Sequence, residues 1–94
     1  MAVIKSFRDR DTGALYSGRC PERWRPVRSM AERKLALLDA AAGLDFLRVP
    51  PGNRLEKLTG NRAGQWSIRI NERWRVCFRW ESGDAWDVEI VDYH

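Results

Sequence analysis

The sequence contains few of the residues that build metal centres, disulfide frameworks or nucleotide-binding loops. Cys20 and Cys77 are too few and too far apart for a disulfide scaffold or a zinc site, and His94 is the single histidine. No glycine-rich segment ends in Lys-Ser or Lys-Thr, and one histidine cannot plausibly serve a Ser-His-Asp triad. We therefore expect no metal and no cofactor.

Long hydrophobic runs are also missing. The first residues lack a basic segment followed by a long apolar stretch, so no signal peptide is predicted, and no run approaches the length of a transmembrane helix. The 94 residues, 44% of them hydrophobic with five tryptophans, are expected to form one domain over residues 1–94. We expect a cytoplasmic protein without a membrane partner.

Lysine is scarce, and arginine supplies most of the positive charge. Of the 17 basic residues 14 are arginine, against 13 acidic residues, and the net charge is +4. Arginine offers a planar fork of donors that matches phosphate oxygens, whereas lysine acts more as a point charge. A GC-rich genome explains the ratio equally well, but the net charge still predicts a polyanionic or acidic partner.

Hydrophobic periodicity predicts an α+β fold. A first strand is predicted over residues 3–7, a short helix within residues 9–19 and a loop over residues 20–26. A helix from near Pro26 to Gly43 follows, because one apolar stripe has helical spacing: Val27, Ala31, Leu35, Leu38 and Ala42. After a turn at residues 50–53 the period becomes two, which predicts three or four antiparallel strands whose apolar face the helices cover.

Matching of apolar and polar faces predicts how the last two strands pair. A three-residue loop at residues 82–84 would place Trp80 opposite Trp86 and Val76 opposite Ile90 on the core side. A two-residue turn is disfavoured, because it would set Val76 against Glu89.

The preceding hairpin, turning at residues 71–73, is predicted to place two like charges opposite each other. Arg69 would face Arg75 on the polar side, with Arg73 and the chain end at residues 92–94 nearby. Like charges across a strand pair are unfavourable by up to about 1 kcal/mol, so such a pair persists most readily under an anion. A solvated face whose arginine stems cover the sheet is the alternative interpretation.

These residues suit the cleavage of RNA without a metal. The reaction needs a base for the ribose hydroxyl, positive charge on the phosphate and an acid for the leaving oxygen. Arg69 and Arg75 are placed to bind phosphate, His94 to act as acid or base, and Tyr93 to stack on a base or donate a proton. The strand after the 50–53 turn adds candidates for a second proton-transfer group or a phosphate contact: Glu56 and Lys57.

Several segments resemble a known family, the HigB plasmid-maintenance killer toxins. The similar segments occur in the same order from about residue 3 to residue 94: Ile4–Phe7, Pro50–Leu55, Gly64–Asn71, Trp74–Phe78 and the terminal Asp92-Tyr93-His94. The resemblance implies a RelE-like α+β fold, in which an N-terminal strand and two helices pack on one face of a mostly antiparallel sheet.

The resemblance also implies a function. It predicts the toxin of a type II toxin–antitoxin system, a ribosome-dependent endoribonuclease that cleaves messenger RNA in the ribosomal A site by metal-independent attack of the ribose 2′-hydroxyl. The implied partners are the ribosome, messenger RNA and a HigA-type helix-turn-helix antitoxin, through which alone operator DNA would be bound. A non-catalytic RNA- or antitoxin-binding module of the same fold is the alternative.

The resemblance assigns roles to individual residues. Arg75 would hold the scissile phosphate, with Tyr93 and His94 completing the site and Asp92 positioning them or taking part in proton transfer. Some relatives carry a histidine or an extra lysine in the strand matching residues 55–59, so the choice between two candidates there stays open: Glu56 and Lys57. The candidate RNA-binding residues are Arg69, Arg73 and Lys57.

Overall fold

The computed structural model describes residues 2–92, which form an α+β structure. Four strands make one antiparallel sheet in the order β1-β2-β3-β4. The helices are α1 (Arg10–Tyr16) and α2 (Arg28–Asp39), and the strands are β1 (Glu56–Lys57), β2 (Gln65–Arg69), β3 (Trp74–Glu81) and β4 (Asp84–Asp92). The predicted α+β class is confirmed. Within residues 2–92 no helix is long and apolar enough to cross a membrane.

The predicted first strand forms only two isolated parallel bridges with β4, at Ile4 and Phe7. At its start this segment is tied to the end of α2 instead. The amide of Val3 donates to the carbonyl of Asp39 at 3.0 Å, and the amide of Ile4 donates to the Asp39 carboxylate at 2.9 Å. The interruption falls between the two bridges, where the amide of Asp87 donates to the side-chain hydroxyl of Ser6 at 2.8 Å and Asp87 has a φ of 53°.

The helices bury their apolar stripe as predicted, with one difference at the end of α2. Ala31, Leu35 and Leu38 are fully buried in the core. The helix ends at Asp39, four residues before Gly43, and the chain then leaves the helical period. As a result Ala41 is buried, whereas the predicted Ala42 is exposed.

The segment predicted as a loop over residues 20–26 contains a 3₁₀ helix, Glu22–Val27. Its tryptophan, Trp24, is completely buried and meets Trp74 edge to face, with ring centroids 6.0 Å apart. Burying an aromatic ring of this size is a strong driving force, and it orders a segment whose prolines alone suggest irregular chain.

The turn between β3 and β4 differs from the prediction. It is a two-residue turn at Ser82 and Gly83, whose φ angles of 53° and 80° are those of the left-handed turns that join antiparallel strands. Trp80 therefore pairs with Ala85, and the predicted pair of Trp80 with Trp86 is wrong.

A β-bulge then restores the predicted register. Between the pairs Arg79↔Trp86 and Cys77↔Glu89, β4 has one residue more than β3, and Asp87 has a φ of 53°. Beyond the bulge the predicted pair of Val76 with Ile90 is confirmed, and Arg75 pairs with Val91. The bulge also moves the apolar face of β4, so that Ala85 and not Trp86 joins the core.

The hairpin of β2 and β3 has the predicted register. Ile68 pairs with Val76 on the core side, and Arg69 pairs with Arg75 on the other side. In the turn, the Asn71 side chain accepts hydrogen bonds from the amides of Arg73 and Trp74, at 2.9 and 2.8 Å. This side chain–backbone contact fixes the turn, and with it the two facing arginines.

Candidate functional site

Arg75 is almost completely enclosed, with 5% of its side chain exposed. It lies on the face of the sheet that the sequence assigns to the polar side, next to Ser67 and Cys77, which are also buried. The alternative interpretation, a solvated sheet face, is therefore wrong at Arg75. The cause is the segment before β2, whose backbone and side chains reach over this face.

Within residues 2–92, the Arg75 guanidinium is held by Ser67, Arg54 and Glu56. Nε donates to the hydroxyl of Ser67 at 2.8 Å, and Nη2 donates to the carbonyl of Arg54 at 2.6 Å. Nη2 also lies 3.1 Å from the Glu56 carboxylate, which is about half exposed. A buried charge needs such partners, because desolvation without them is very unfavourable. The contacts fix the plane of the guanidinium before any ligand arrives.

The Arg54 carbonyl is positioned by the turn that precedes β1. Asn53 is completely buried, and its side-chain amide donates to the carbonyls of Leu47 and Val49 at 3.2 and 3.3 Å. Its side-chain oxygen accepts a hydrogen bond from Lys34 of α2. Arg54 then takes a left-handed conformation, with a φ of 46°, and its carbonyl meets Arg75. Asn53 thus links α2 to the floor of the site.

A second set of charges covers the other half of this sheet face. Arg62 donates to Gln65 and to Glu89, both at 3.0 Å, and Arg8 lies 3.5 Å from Glu89. Below them, burial raises the pKa of the Cys77 thiol. Cys77 is buried in β3, and a raised pKa makes its thiol a poor nucleophile.

A shallow depression of about 220 Å³ lies over Arg75, and we call it the Arg75 depression. It brings together three of the predicted site residues, Glu56, Arg69 and Arg75. Its lining has three arginines and two carboxylates: Arg54, Glu56, Arg69, Asn71, Glu72 and Arg75. The guanidinium groups can bind a phosphodiester, and the half-exposed carboxylate of Glu56 can accept a proton beside it.

The remaining predicted residues lie elsewhere or beyond the described chain. Arg73 pairs with Asp92 at 3.0 Å, and its guanidinium stacks over Trp74 at 4.7 Å. Lys57 is not brought to the Arg75 depression, since successive strand residues point to opposite faces and its ammonium lies 5.9 Å from the Trp66 ring. Two further predicted site residues lie outside the described residues: Tyr93 and His94. Across residues 2–92 no group of histidine, cysteine or acidic residues could hold a metal ion.

Comparison with known proteins decides the family. Residues 5–94 match the family described as the RelE-like toxin of the type II toxin-antitoxin system HigB. The chain belongs to this HigB-like toxin family. The match covers β1 to β4, and so includes every residue of the Arg75 depression.

Two curated relatives of this HigB-like toxin agree with that result. Toxin HigB-1 of Vibrio cholerae serotype O1 is 53% identical over 53 residues, which are 56% of each chain. Endoribonuclease HigB of Proteus vulgaris is 42% identical over 41 residues, which are 44% of this chain and 45% of that protein. The matched part thus spans about half the length of these relatives.

The fold is shared with a more distant toxin. A chain of the YoeB-YefM complex from Staphylococcus aureus superposes with a TM-score of 0.57 at 17% identity, covering 97% of both chains. A heterotetrameric YoeB-YefM toxin-antitoxin complex from the same organism gives the same values. The RelE-like fold implied by the sequence is therefore confirmed.

Sequence reasoning missed three contributors to the site of this HigB-like toxin: Asn53, Arg54 and Ser67. The Pro-Pro-Gly-Asn segment indicates a turn, but it does not indicate that the asparagine is buried or that the next residue is left-handed. Asparagine after proline and glycine in a turn is the one signal that marks the position. Ser67 was missed because a serine on a polar strand face carries no distinguishing pattern.

Proposed function

We propose that this HigB-like toxin is a ribosome-dependent endoribonuclease that cleaves messenger RNA in the ribosomal A site. The observation that carries the proposal is the Arg75 guanidinium, held by its neighbours beneath a depression that also contains Arg69 and Glu56. A fixed cation beside a proton acceptor is what metal-free phosphodiester chemistry needs. The name of the Proteus vulgaris relative, Endoribonuclease HigB, supports the same reaction.

In this proposal Arg75 binds the scissile phosphate and stabilises the charge of the transition state. Glu56 takes the proton from the 2′-hydroxyl, since its carboxylate is 3.1 Å from Arg75 and half exposed. The 2′-oxygen forms a bond to phosphorus while the bond to the 5′-oxygen breaks, and His94 donates a proton to that leaving oxygen. The products are a 2′,3′-cyclic phosphate and a 5′-hydroxyl.

The other predicted residues bind or orient the RNA. Arg69 contributes a second cation at the Arg75 depression. Arg73 and Asp92 form an ion pair at the end of β4, where they position the chain end. In the proposal Tyr93 stacks on a base next to the cleaved bond, since aromatic side chains commonly bind unstacked RNA bases in this way.

Dependence on the ribosome follows from how little the site itself provides. The depression is shallow, and its proton-transfer groups among residues 2–92 are the carboxylates of Glu56 and Glu72. Orientation of a bound substrate can contribute several kcal/mol, roughly 7–11 in favourable systems. We propose that the ribosome supplies this orientation in the cytoplasm.

The proposed protein partner is a HigA-type antitoxin with a helix-turn-helix domain. Membership of a toxin–antitoxin family supports an antitoxin partner. Operator DNA would then be bound through the antitoxin. A neighbouring gene that encodes about a hundred residues with a helix-turn-helix pattern, and that rescues growth on co-expression, is the expected finding.

A non-catalytic binding module is the second candidate. The burial of Arg75 favours it, because a guanidinium held by other protein groups can serve packing alone. Brief induction followed by mapping of messenger RNA 5′ ends separates the two. The endoribonuclease predicts new 5′-hydroxyl ends within translated regions, aligned with the reading frame. Binding of the protein to RNA or to its antitoxin without such ends would favour the non-catalytic binding module.

A further inference from the structure

A second depression adjoins the Arg75 depression at the turn between β2 and β3. It measures about 330 Å³ and lies between α2 and that turn. The two depressions share Arg69, Asn71 and Glu72. They form one groove from α2 around the turn to Arg75, which we call the basic groove. The second depression is lined by Met30, Arg33, Lys34, Gly52, Arg69, Ile70, Asn71 and Glu72.

The basic groove is strongly positive for its size. Five basic side chains and two carboxylates line it. Among the described residues, no carboxylate lies within 4.0 Å of the charged groups of Arg33, Lys34 or Arg69, whereas Arg28 and Arg62 elsewhere each have an acidic partner. Cations that the protein leaves unpaired in a concave surface attract anions from solution.

Two like-charge contacts lie along the groove. Arg69 and Arg75 face each other across the β2–β3 hairpin. Arg33 and Lys34 are adjacent on α2, where burial lowers the pKa of Lys34 and the charge of Arg33 lowers it further. The Lys34 ammonium donates one hydrogen bond to Asn53, and an ammonium can donate three. An anion with several charges in a row would relieve both contacts.

We propose that the basic groove binds the RNA strand beside the scissile phosphate, with Arg33 and Lys34 contacting the phosphate of a neighbouring nucleotide. Arg69 lies between that subsite and Arg75, so one strand can follow the groove from Arg33 and Lys34 past Arg69 to Arg75. Met30, which is 39% exposed, gives the groove an apolar surface that suits the face of a base. This inference rests on the proposed function, because it extends the same RNA-binding site.

The other groove residues suit a nucleotide as well. Glu72 repels phosphate but can accept hydrogen bonds from an exocyclic amino group or a ribose hydroxyl. Asn71 uses its side-chain oxygen in the turn, which leaves its amide as a donor at the edge of both depressions. A single-stranded RNA segment, whose bases are accessible, fits this mixture better than a duplex.

The test uses a charge-matched pair of double variants. Arg33→Gln/Lys34→Gln removes both groove cations, while glutamine keeps a donor for Asn53. Arg10→Gln/Arg19→Gln removes the same charge from two exposed residues that line neither depression. Each protein is titrated with a fluorescent 2′-O-methyl hexanucleotide and with the matching dinucleotide, which reaches only the Arg75 depression. Anisotropy is read over a range of KCl concentrations.

We expect wild-type protein to bind the hexanucleotide at low salt. The groove variant should bind it at least tenfold more weakly than the control variant. Its plot of log K against log salt should be shallower by about 0.7, since Arg33 and Lys34 contact one phosphate and each phosphate contact on a single strand contributes about 0.7 to the slope. Both variants should bind the dinucleotide equally. Identical hexanucleotide binding by the two variants, or no binding by wild type at low salt, would overturn the proposal.

Pelleting with vacant ribosomes distinguishes a ribosomal RNA contact from a substrate contact. If the groove variant no longer pellets with vacant ribosomes but still binds the hexanucleotide as the control variant does, the groove binds ribosomal RNA and the proposal is wrong. Cleavage by wild-type protein on programmed ribosomes reports separately on the proposed function. If wild-type protein cleaves but both variants bind RNA equally, the groove proposal is wrong and the proposed function stands. If binding depends on the groove but no cleavage occurs, the proposed nuclease function is wrong and the groove proposal stands.

Discussion

Nη2 of Arg75 donates a 2.6 Å hydrogen bond to the carbonyl of Arg54, a residue held in the left-handed conformation. This bond joins the turn before β1 to the middle of β3. It makes the guanidinium part of the structure as well as the centre of the proposed site. Substitutions at Arg75 should therefore change both stability and activity.

Arg75→Ala is expected to abolish cleavage and to destabilise the protein. Loss of a transition-state donor typically costs about 3–4 kcal/mol, a hundredfold or more in rate. The buried Ser67 hydroxyl and the Arg54 carbonyl would lose their donor, which costs about 1–3 kcal/mol in the free energy of unfolding. Urea unfolding and growth arrest on induction measure the two effects.

Arg69→Ala is the control for that variant. Arg69 is half-buried and lies directly opposite Arg75, and no ion pair joins it to a carboxylate among residues 2–92. It should lose activity with an unfolding free energy within about 0.5 kcal/mol of wild type, as for surface changes. A folded Arg75→Ala protein that still arrests growth at wild-type expression would remove Arg75 from the site.

Asn53→Ala should destabilise the protein without touching the core. Its amide donates to two carbonyls, those of Leu47 and Val49, and the residue is fully buried. Leaving such groups unsatisfied costs about 1–3 kcal/mol, and each kcal/mol lowers Tm by roughly 4–8 °C in a domain of this size. Asn61→Ala, at an exposed position, is the matched control and should leave Tm unchanged. Equal melting of the two variants would contradict the role of Asn53.

The two-residue turn at Ser82 and Gly83 can be tested by opposite changes in stability. Both residues have positive φ, and nothing lies within 4 Å of a Cβ built on Gly83. Gly83→Ala should therefore destabilise through backbone conformation alone, by more than about 1 kcal/mol. Ser82→Asn should stabilise, because Asn-Gly is the preferred pair for this turn. A stabilising Gly83→Ala would point back to the three-residue loop.

That turn shows why part of the fold could not be predicted. A three-residue loop gives the same pairs beyond Cys77 as a two-residue turn followed by one extra residue in β4. Alternation of polar and apolar residues constrains only parity, so it predicted Val76 opposite Ile90 and missed the bulge at Asp87. Trp86 was placed in the core for the same reason.

The site shows a similar division. Face matching predicted that Arg69 and Arg75 lie opposite each other, because the β2–β3 hairpin is regular. It could not predict the burial of Arg75, which depends on the backbone of Arg54 and the side chain of Glu56 reaching over this face of the sheet. Face matching was not applied to the strand after the 50–53 turn, where Lys57 was grouped with Glu56 although neighbouring residues of a strand lie on opposite faces.

Deletion of residues 93–94 should eliminate toxicity and change stability little. The proposal gives Tyr93 a base to stack on and His94 a proton to donate, and the apolar residues of β4 in the core end at Ile90. Growth arrest and melting temperature are compared for the full and shortened chains. Antitoxin binding by the shortened chain confirms that it is folded. Retained toxicity would contradict the proposed roles of Tyr93 and His94.

The most direct test of the account is cleavage of one messenger RNA with and without ribosomes. Purified protein is added to naked RNA and to the same RNA on ribosomes with a defined codon in the A site. We predict cleavage at that codon only on the ribosome, leaving a 2′,3′-cyclic phosphate and a 5′-hydroxyl. Efficient, specific cleavage of the naked RNA at nanomolar protein, or intact RNA on the ribosome, would contradict the account.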